Sequence, residues 1–355
     1  MLRTGTASAD LDGVHLWMRH ESRPTERRAP ITPDDARTIV DHGARLTVEE
    51  SPQRVFPIED YAQAGAEVTP AGSWVDAEPS AYVLGIKELS DEPAALRHTH
   101  IYFAHAYKEQ QGSTDVLRRF VAGGGELIDI EYLSVNERRV VAFGYWAGYV
   151  GASLSVLAHS GQLAPPLEPT TRMDLDEGVA RASTSPGSAL VIGARGRSGR
   201  GAVDALARGG WEVTRWGMEQ TRVLDRDALL GHDLLVNCVV SYRPQEPFVT
   251  AADVDVARRL RVIGDVTCDV TSENNLIPLN TATTTWAQPV RRFGAADTTS
   301  PLDVIAIDNL PSLLPREASV SFSADFTPLL LDLARRGGAF KAAREAFVTA
   351  TGPLR

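Results

Sequence analysis

The stretch ALVIGARGRSGRGAVDAL, Ala189 to Leu206, restricts the possible folds more than any other part of the chain. A short apolar run stops at Gly193. Glycines recur at Gly196, Gly199 and Gly201, and an apolar segment of helical spacing follows. Glycine tolerates the backbone angles of a tight turn and lets main-chain N–H groups approach a phosphate, while the positive end of the next helix dipole favours an anion. Strand, glycine turn and helix in that order form the phosphate-binding corner of a dinucleotide fold. The spacing is G-x-x-G-x-x-G rather than G-x-G-x-x-G, so the flanking strand and helix matter as much as the glycines. The plain alternative is a glycine-rich turn that binds nothing. Gly193, Arg195, Gly196, Arg197, Ser198 and Gly199 are expected against a pyrophosphate, with the arginines, Arg200 included, either assisting it or simply exposed.

Sites of this kind usually carry an Asp or Glu about 20 residues on, at the end of the second strand, to hold the adenosine ribose. That strand reads WEVTRWGMEQTR here, and the expected position is Gly217; Glu219 comes two residues late. Arg215 and Arg222 are close by, and arginine is the residue type that accommodates a 2′-phosphate. NAD is the expected cofactor, with NADP left open.

The remaining pattern is α/β. VHLWMR (Val14 to Arg19) reads as strand, TPDDARTIVDHG as helix and RLTVEE as strand. Thr32 is a natural helix N-cap, Pro33 suits the first helical position, Asp34 and Asp35 suit the first turn, and Gly43 is the stop. Strands continue at YVLGIK, HIYFAH and LIDIEYL, and a long helix is expected from about Gly144 to Gly161. The Pro- and Ser-rich LAPPLEPTTRMDLDEGVARASTSPGS reads as a surface connection. Beyond the glycine turn, WEVTRW, DLLVNCVV, RVIGDVT and DVIAI supply strands, and the C-terminal region reads as two helices. Helices between almost every pair of strands predict two Rossmann-like, doubly wound parallel-sheet domains flanking an active-site cleft. Residues 1–143 plus 320–355 are expected to form the substrate and catalytic domain, and 144–319 the dinucleotide-binding domain.

Composition narrows the partners. With 355 residues, 43% of them hydrophobic, the chain can build two cores. A net charge of −10 argues against nucleic acid or an anionic membrane surface as partner. No apolar run is long enough to span a bilayer, and the opening MLRTGTASADLDG lacks the apolar core of a signal peptide. The two cysteines, Cys238 and Cys268, have neither metal-ligand nor redox spacing. A cytoplasmic location is expected.

Two ionisable residues end apolar runs: Lys87 in YVLGIKEL and His105 in IYFAHAYK. Histidine titrates near neutrality, and a lysine at an apolar strand end can have its pKa lowered by burial or by cationic neighbours until it serves as a base. Taken singly, Lys87 is better read as an exposed strand-end lysine and His105 as a hydrogen-bonded core histidine. The His98-x-His100 pair with His105 could suggest zinc, but strand alternation and the want of a spaced fourth ligand weigh against a metal.

Taken together, HLWMRHESRPTERRAPITP, AGSWVDA, GIKEL, IYFAHAYKEQ, RRVVAFGYWAG, NCVVS and IDNLPSLLPREAS resemble the lysine-forming saccharopine dehydrogenase family, in order over nearly the whole chain. The resemblance implies a two-domain plan shared with alanine dehydrogenase and the transhydrogenase soluble domains. It also implies a reaction: hydride leaves the glutamyl Cα of a lysine–glutarate secondary amine for nicotinamide, water adds to the imine, and lysine and 2-oxoglutarate separate. The family's acid–base pair falls on Lys87 and His105. A substrate with three carboxylates needs local cations, for which Arg19, Arg23, Arg28 and Arg139 are candidates. Glu26, Glu88 and Glu131 match positions that could bind the substrate ammonium or tune Lys87, and Phe143 opens the hinge region. Along the dinucleotide the resemblance sets Trp216, Gly217, Cys238, Asp265, Asp308 and Leu310.

The chain departs from the family's pattern in three places. Arg23 stands where lysine is frequent, Gly217 replaces the ribose acid, and Ser198 replaces a cysteine that in some relatives can pair with the one matching Cys238. A same-mechanism relative acting on another lysine-derived secondary amine or N–N-linked conjugate is the main alternative. An alanine dehydrogenase-like enzyme and a non-catalytic ligand-binding relative are further ones.

Overall fold

A computed structural model describes residues 11–107, 113–136, 138–294, 301–333 and 338–354. Its strands are β1 (His15–Met18), β2 (Arg45–Glu49), β3 (Glu67–Thr69), β4 (Tyr82–Leu84), β5 (Thr99–Tyr102), β6 (Glu126–Asp129), β7 (Ser134–Val135), β8 (Arg138–Arg139), β9 (Ser188–Ile192), β10 (Glu212–Trp216), β11 (Leu234–Asn237), β12 (Val262–Asp265), β13 (Arg291–Phe293) and β14 (Leu302–Ile305). Its α-helices are α1 (Pro33–Asp41), α2 (Ile58–Gln63), α3 (Ser113–Gly123), α4 (Gly144–His159), α5 (Arg172–Ala182), α6 (Arg197–Arg208), α7 (Met218–Arg222), α8 (Arg226–Leu230), α9 (Pro315–Leu331) and α10 (Phe340–Thr351). Two compact units result: Met1–Ala142 with Ala318–Arg355, and Phe143–Glu317. The opening residues 1–10, the 108–110 end of the IYFAHAYKEQ motif and residues 334–337 between the last two helices lie outside the described residues.

The first unit holds a parallel sheet in the order β3-β2-β1-β4-β5-β6. Helix α1 begins as its sequence requires: the Thr32 hydroxyl accepts from the Asp35 N–H at 3.3 Å, and Gly43 just past the end has φ +93°. Phe120 of α3 is fully buried and meets the Phe347 ring of α10 edge-on at 5.8 Å. Truncating such a ring costs about 3–5 kcal/mol. Helix α9 turns polar positions inward one turn apart: Ser319 Oγ accepts from the Ala29 N–H and Ser323 Oγ from the Thr32 N–H, both at 2.9 Å. These bonds tie the chain after β1 to α9.

The second unit holds a sheet in the order β10-β9-β11-β12-β14-β13, parallel except for β13. Strand β9 is buried on both faces. Ala189 and Val191 enter one core, Leu190 and Ile192 the other, as a strand covered by layers on both sides requires. Helices α4 and α6 approach closely because glycine faces backbone in both directions. A Cβ at Gly148 would overlap the Ser198 carbonyl, and one at Gly201 the Tyr145 carbonyl.

The expected α/β class with doubly wound parallel sheets holds, with local corrections. The Pro- and Ser-rich stretch after α4 contains α5, where the sequence suggests only a connection. The Thr171 hydroxyl accepts from the Asp174 N–H at 3.2 Å, and Leu175 and Val179 are buried in the core shared with α4. Burial of two apolar side chains outweighs the local loop signal. Helices are also fewer than expected: β4 and β5 are joined by irregular chain. The strands end early, at Leu84, Tyr102 and Trp216, so Lys87 and His105 stand on loops just past them.

Candidate active site

In the first sheet the chain runs from β1 outward to β2 and β3, then returns to lay β4 on the other side of β1. Loops after β1 and β4 therefore diverge, and a crevice at the carboxyl ends of such strands is where these sheets take ligands. Residues 19–28 follow β1, and residues 85–88 follow β4.

The loop bearing Lys87 is held rigidly from below. The Glu21 carboxylate accepts from the Ile86 N–H at 2.6 Å and the Lys87 N–H at 3.0 Å. Arg19 donates to the Lys87 carbonyl and lies 3.3 Å from Glu21. Its guanidinium occupies the space that a side chain at position 85 would need, since a Cβ on Gly85 would fall 2.5 Å from Arg19 Nε. Arg19 is expected from the sequence to face substrate; it is instead 3% exposed and braces the β1 and β4 loops. Glu21, deep in the same pair, has its carboxyl pKa raised by burial, which outweighs the Arg19 charge.

Around Lys87 stand two further carboxylates. Glu26 is 1% exposed and takes a two-pronged bond from Arg28, with Nε at 2.8 Å and Nη2 at 2.6 Å. Burial pushes Glu26 upward, but the Arg28 charge and hydrogen bonds, with a contribution from Lys87, bring it below the ordinary carboxylate value. Arg28 is itself 4% exposed, so it too is a buried partner rather than an open cation. Glu88 accepts from Arg23 Nη2 at 2.6 Å and is also lowered: burial opposes this, while its own N–H, Arg23 and Lys87 prevail.

His105 has φ +51°, a left-handed backbone that strains a residue with a Cβ. Its Nδ1 lies 3.4 Å from Glu131, and Arg139 Nη1 lies 3.6 Å from the other oxygen of the same carboxylate. Arg139 also covers the Phe103 ring at 5.7 Å, and Phe103 stacks on His105 at 6.4 Å. Below them Asp129 is fully buried. Its Oδ1 accepts from the Glu131 N–H at 3.0 Å, and the backbone of Ala104 also acts on the carboxylate. Burial raises the Asp129 carboxyl pKa. His98 and His100 lie elsewhere, packed edge-on against Trp74 at 6.0 and 4.9 Å. Among the described residues no cluster of three or more His, Cys, Asp or Glu is set to hold a metal ion.

The second unit has its own switch point, between β9 and β11. Gly193 has φ +80°, and a Cβ on Gly199 would overlap the Gly193 carbonyl, so α6 packs on the turn itself. A Cβ on Gly196 would meet only the Gly193 oxygen, at 3.3 Å, which leaves the outer side of the loop open. This is the cradle a pyrophosphate needs, and the residues fit a dinucleotide. Arg195 is exposed; Arg197 and Ser198 are half-buried in the first turn of α6. At the end of β11, Asn237 donates to Asp265 at 3.0 Å, and Thr267 donates to it at 2.7 Å. Burial raises Asp265 and also the Cys238 thiol beside it, which makes that thiol a poor nucleophile. Asp308 is exposed and Leu310 buried in the turn after β14, and Phe143 caps α4. Beside the glycine turn a cavity of about 690 Å³ lies between Trp216, Gly217, Arg195, Arg200, Arg215 and Tyr145.

Residues 17–150 match the family model for the alanine dehydrogenase/PNT N-terminal domain. The chain is 40% identical over 341 residues to the saccharopine dehydrogenase [NAD(+), L-lysine-forming] of Schizosaccharomyces pombe, covering 90% of this chain and 93% of that protein. The chain belongs to the lysine-forming saccharopine dehydrogenase family. Its Emericella nidulans relative of the same name is 39% identical over 360 residues, covering 94% of this chain and 96% of the relative. Among solved structures, an L-alanine dehydrogenase superposes with a TM-score of 0.67 at 17% identity, covering 96% of this chain and all of that one (100%). That likeness speaks for the fold.

For a saccharopine dehydrogenase-family chain, sequence reasoning overlooks Glu21, Gly85, Glu49 and Asp129. Glu49 is fully buried and accepts from Trp17 Nε1 at 3.0 Å and from the N–H groups of His20, Gly72 and Trp74 at 2.8, 2.8 and 2.7 Å. It fixes the start of the β1 loop. An acidic residue closing the apolar run RLTVE is the one local signal for it.

Proposed function

We propose that the chain oxidatively cleaves saccharopine, the secondary amine joining lysine to glutarate, to L-lysine and 2-oxoglutarate, or forms it in the reverse direction. The 40% identity to a lysine-forming saccharopine dehydrogenase over 90% of the chain carries this reading. A nicotinamide dinucleotide, when bound, accepts the hydride from the glutamyl Cα; NAD is the one the relatives' names state.

The chain's own residues handle protons and charge. Lys87 takes the amine proton as the C–H bond breaks, with Glu26 and Glu88 close enough for their charges to act on it. His105, 42% exposed and steadied by Glu131, moves the protons of hydrolysis. It draws one from the water that attacks the imine carbon and returns one to the departing lysine nitrogen. Arg139 and Arg23, both partly open to solvent, hold substrate carboxylates, each already paired with a glutamate that keeps it in place. Arg19 and Arg28 act indirectly, by holding the Lys87 loop and Glu26. The first unit is thus the substrate unit and the second the dinucleotide unit.

No helix among the described residues is long and apolar enough to cross a membrane. A cytoplasmic monomer or homodimer is part of the same proposal, and sedimentation equilibrium distinguishes the two. The test of function is purified chain with saccharopine, following reduced nicotinamide and free lysine together. Coupled appearance of both supports the reading. Dinucleotide binding without turnover of saccharopine overturns the substrate and directs the search to other lysine-derived secondary amines or N–N-linked conjugates.

A further inference from the structure

We infer that Asp129 is a positioning residue for the hydrolytic step: buried below the site, it holds His105 and Glu131 at the spacing at which the imidazole exchanges protons. The inference rests on the proposal that His105 moves the protons of hydrolysis. Three observations carry it.

Asp129 joins the two strand ends that carry the pair. It is the last residue of β6 and stands opposite Tyr102, the last residue of β5, in the parallel register. His105 follows soon after Tyr102, and Glu131 soon after Asp129. The Asp129 carboxylate accepts from the Glu131 N–H at 3.0 Å as the N-cap of the short turn Ile130–Tyr132. The Ala104 backbone, immediately before His105, acts on the same carboxylate. One side chain thus engages the main chain on both sides of the contact between His105 Nδ1 and Glu131, which measures 3.4 Å.

His105 needs such a hold. Its left-handed backbone, φ +51°, persists only where the surroundings over-determine it. The imidazole is open to solvent on one side, and Phe103 stacks on it at 6.4 Å. Asp129 supplies the constraint from the interior. It is fully buried, so it acts through its neighbours and does not touch substrate.

Charge points the same way. Burial opposes ionisation of Asp129, and so does the Glu131 charge, while the positive charge of a protonated His105 favours it. The carboxylate and the imidazolium formed as His105 takes a proton from the attacking water are therefore close enough to attract each other. An aspartate here costs stability that a neutral residue of the same shape would not, as expected of a group kept for the reaction.

The test is steady-state kinetics of Asp129→Asn and Asp129→Ala with saccharopine, beside His105→Gln and the double variant His105→Gln/Asp129→Asn. Asparagine keeps the shape of aspartate but has a single acceptor oxygen and no charge. In Asp129→Asn kcat is expected to fall by about tenfold to a hundredfold, the effect of displacing a reacting group by about an ångström. KM for saccharopine should stay within about twofold, because no binding contact is removed. The double variant should be no slower than His105→Gln, since both changes act through one group. In protein carrying isotope-labelled histidine, the His105 ring resonance is identified by its absence from His105→Gln. It should move in Asp129→Asn, while those of His159 and His232, in the second unit, stay in place. An unchanged kcat, an unmoved His105 resonance or additive losses in the double variant each overturn the inference and leave the functional reading intact. A loss of kcat that only follows a loss of folded protein by circular dichroism overturns it as well. An unmodified chain that does not turn over saccharopine overturns the functional reading and the inference with it.

Discussion

Arg19, at the end of β1, reaches through the space beside Gly85 and donates to the backbone carbonyl of Lys87, beyond the end of β4. The position of the proposed catalytic lysine is thereby fixed by a buried cation from another strand. Glu21 completes the bracket by accepting from the N–H of the same residue.

Gly85→Ala tests this bracket. The new methyl would stand 2.5 Å from the guanidinium, which could move away only by giving up its buried bonds to Glu21 and to the His20 and Lys87 carbonyls. Separating a buried pair costs about 3–5 kcal/mol. A fall of that order is expected in chemical denaturation, together with reduced turnover in the protein that remains folded. An unchanged midpoint would contradict the bracket.

Lys87→Met and His105→Gln test the proton assignments. Each is expected to lower kcat by about 10²–10⁴, the usual worth of a general acid or base. Dinucleotide binding by calorimetry and the far-UV circular dichroism spectrum should stay as they were. Turnover within a factor of two of the original in either variant would remove that residue from the mechanism.

Glu26 gives an acid-side stability prediction. Its folded-state pKa is lowered: burial opposes, and the Arg28 pairing wins. A carboxyl lowered on folding stabilises above its unfolded value and loses that contribution as pH falls through the folded one. Glu26→Gln should therefore cost about 3–5 kcal/mol at neutral pH, because it breaks the buried two-pronged ion pair with Arg28. The difference from the original protein should narrow progressively below roughly pH 4, as measured by urea midpoints across pH.

Asp129 gives the opposite sign. Burial raises its folded-state pKa, so its effect on stability is most favourable below the unfolded value and is lost as pH rises through the folded one. Asp129→Asn keeps an oxygen for the Glu131 N–H and removes the buried charge. The variant should gain stability relative to the original at neutral pH, and the gain should vanish towards roughly pH 4. A loss at neutral pH would show that the carboxylate is compensated there.

Thr171→Ala probes α5, which the sequence reads as a connection. Loss of the bond to the Asp174 N–H is expected to cost about 0.5–2 kcal/mol in urea unfolding. No change would mean that packing of Leu175 and Val179 alone sustains the helix.

The glycine turn, the Thr32–Pro33 helix start and the strand–helix alternation were legible in the chain because each is a local matter: backbone angles, capping and periodicity act over a few residues. The positions of Lys87, His105 and Gly217 just past strand ends were legible too, because apolar runs mark those ends; the roles of the first two came from the resemblance alone. The partners of the arginines were not. Arg19 and Arg28 look alike in RHESRPTERRAP, and only tertiary structure buries both of them, one in a bracket with Glu21 and the Lys87 carbonyl and the other against Glu26. Strand order, which sets β4 beside β1 and so brings position 19 within bonding distance of position 87, is a long-range choice made by sheet pairing and core burial. The convergence of Arg195, Arg200 and Arg215 on one cavity has the same origin. The charges were written in the chain, and the electrostatic environment of each arose from residues that folding carried next to it.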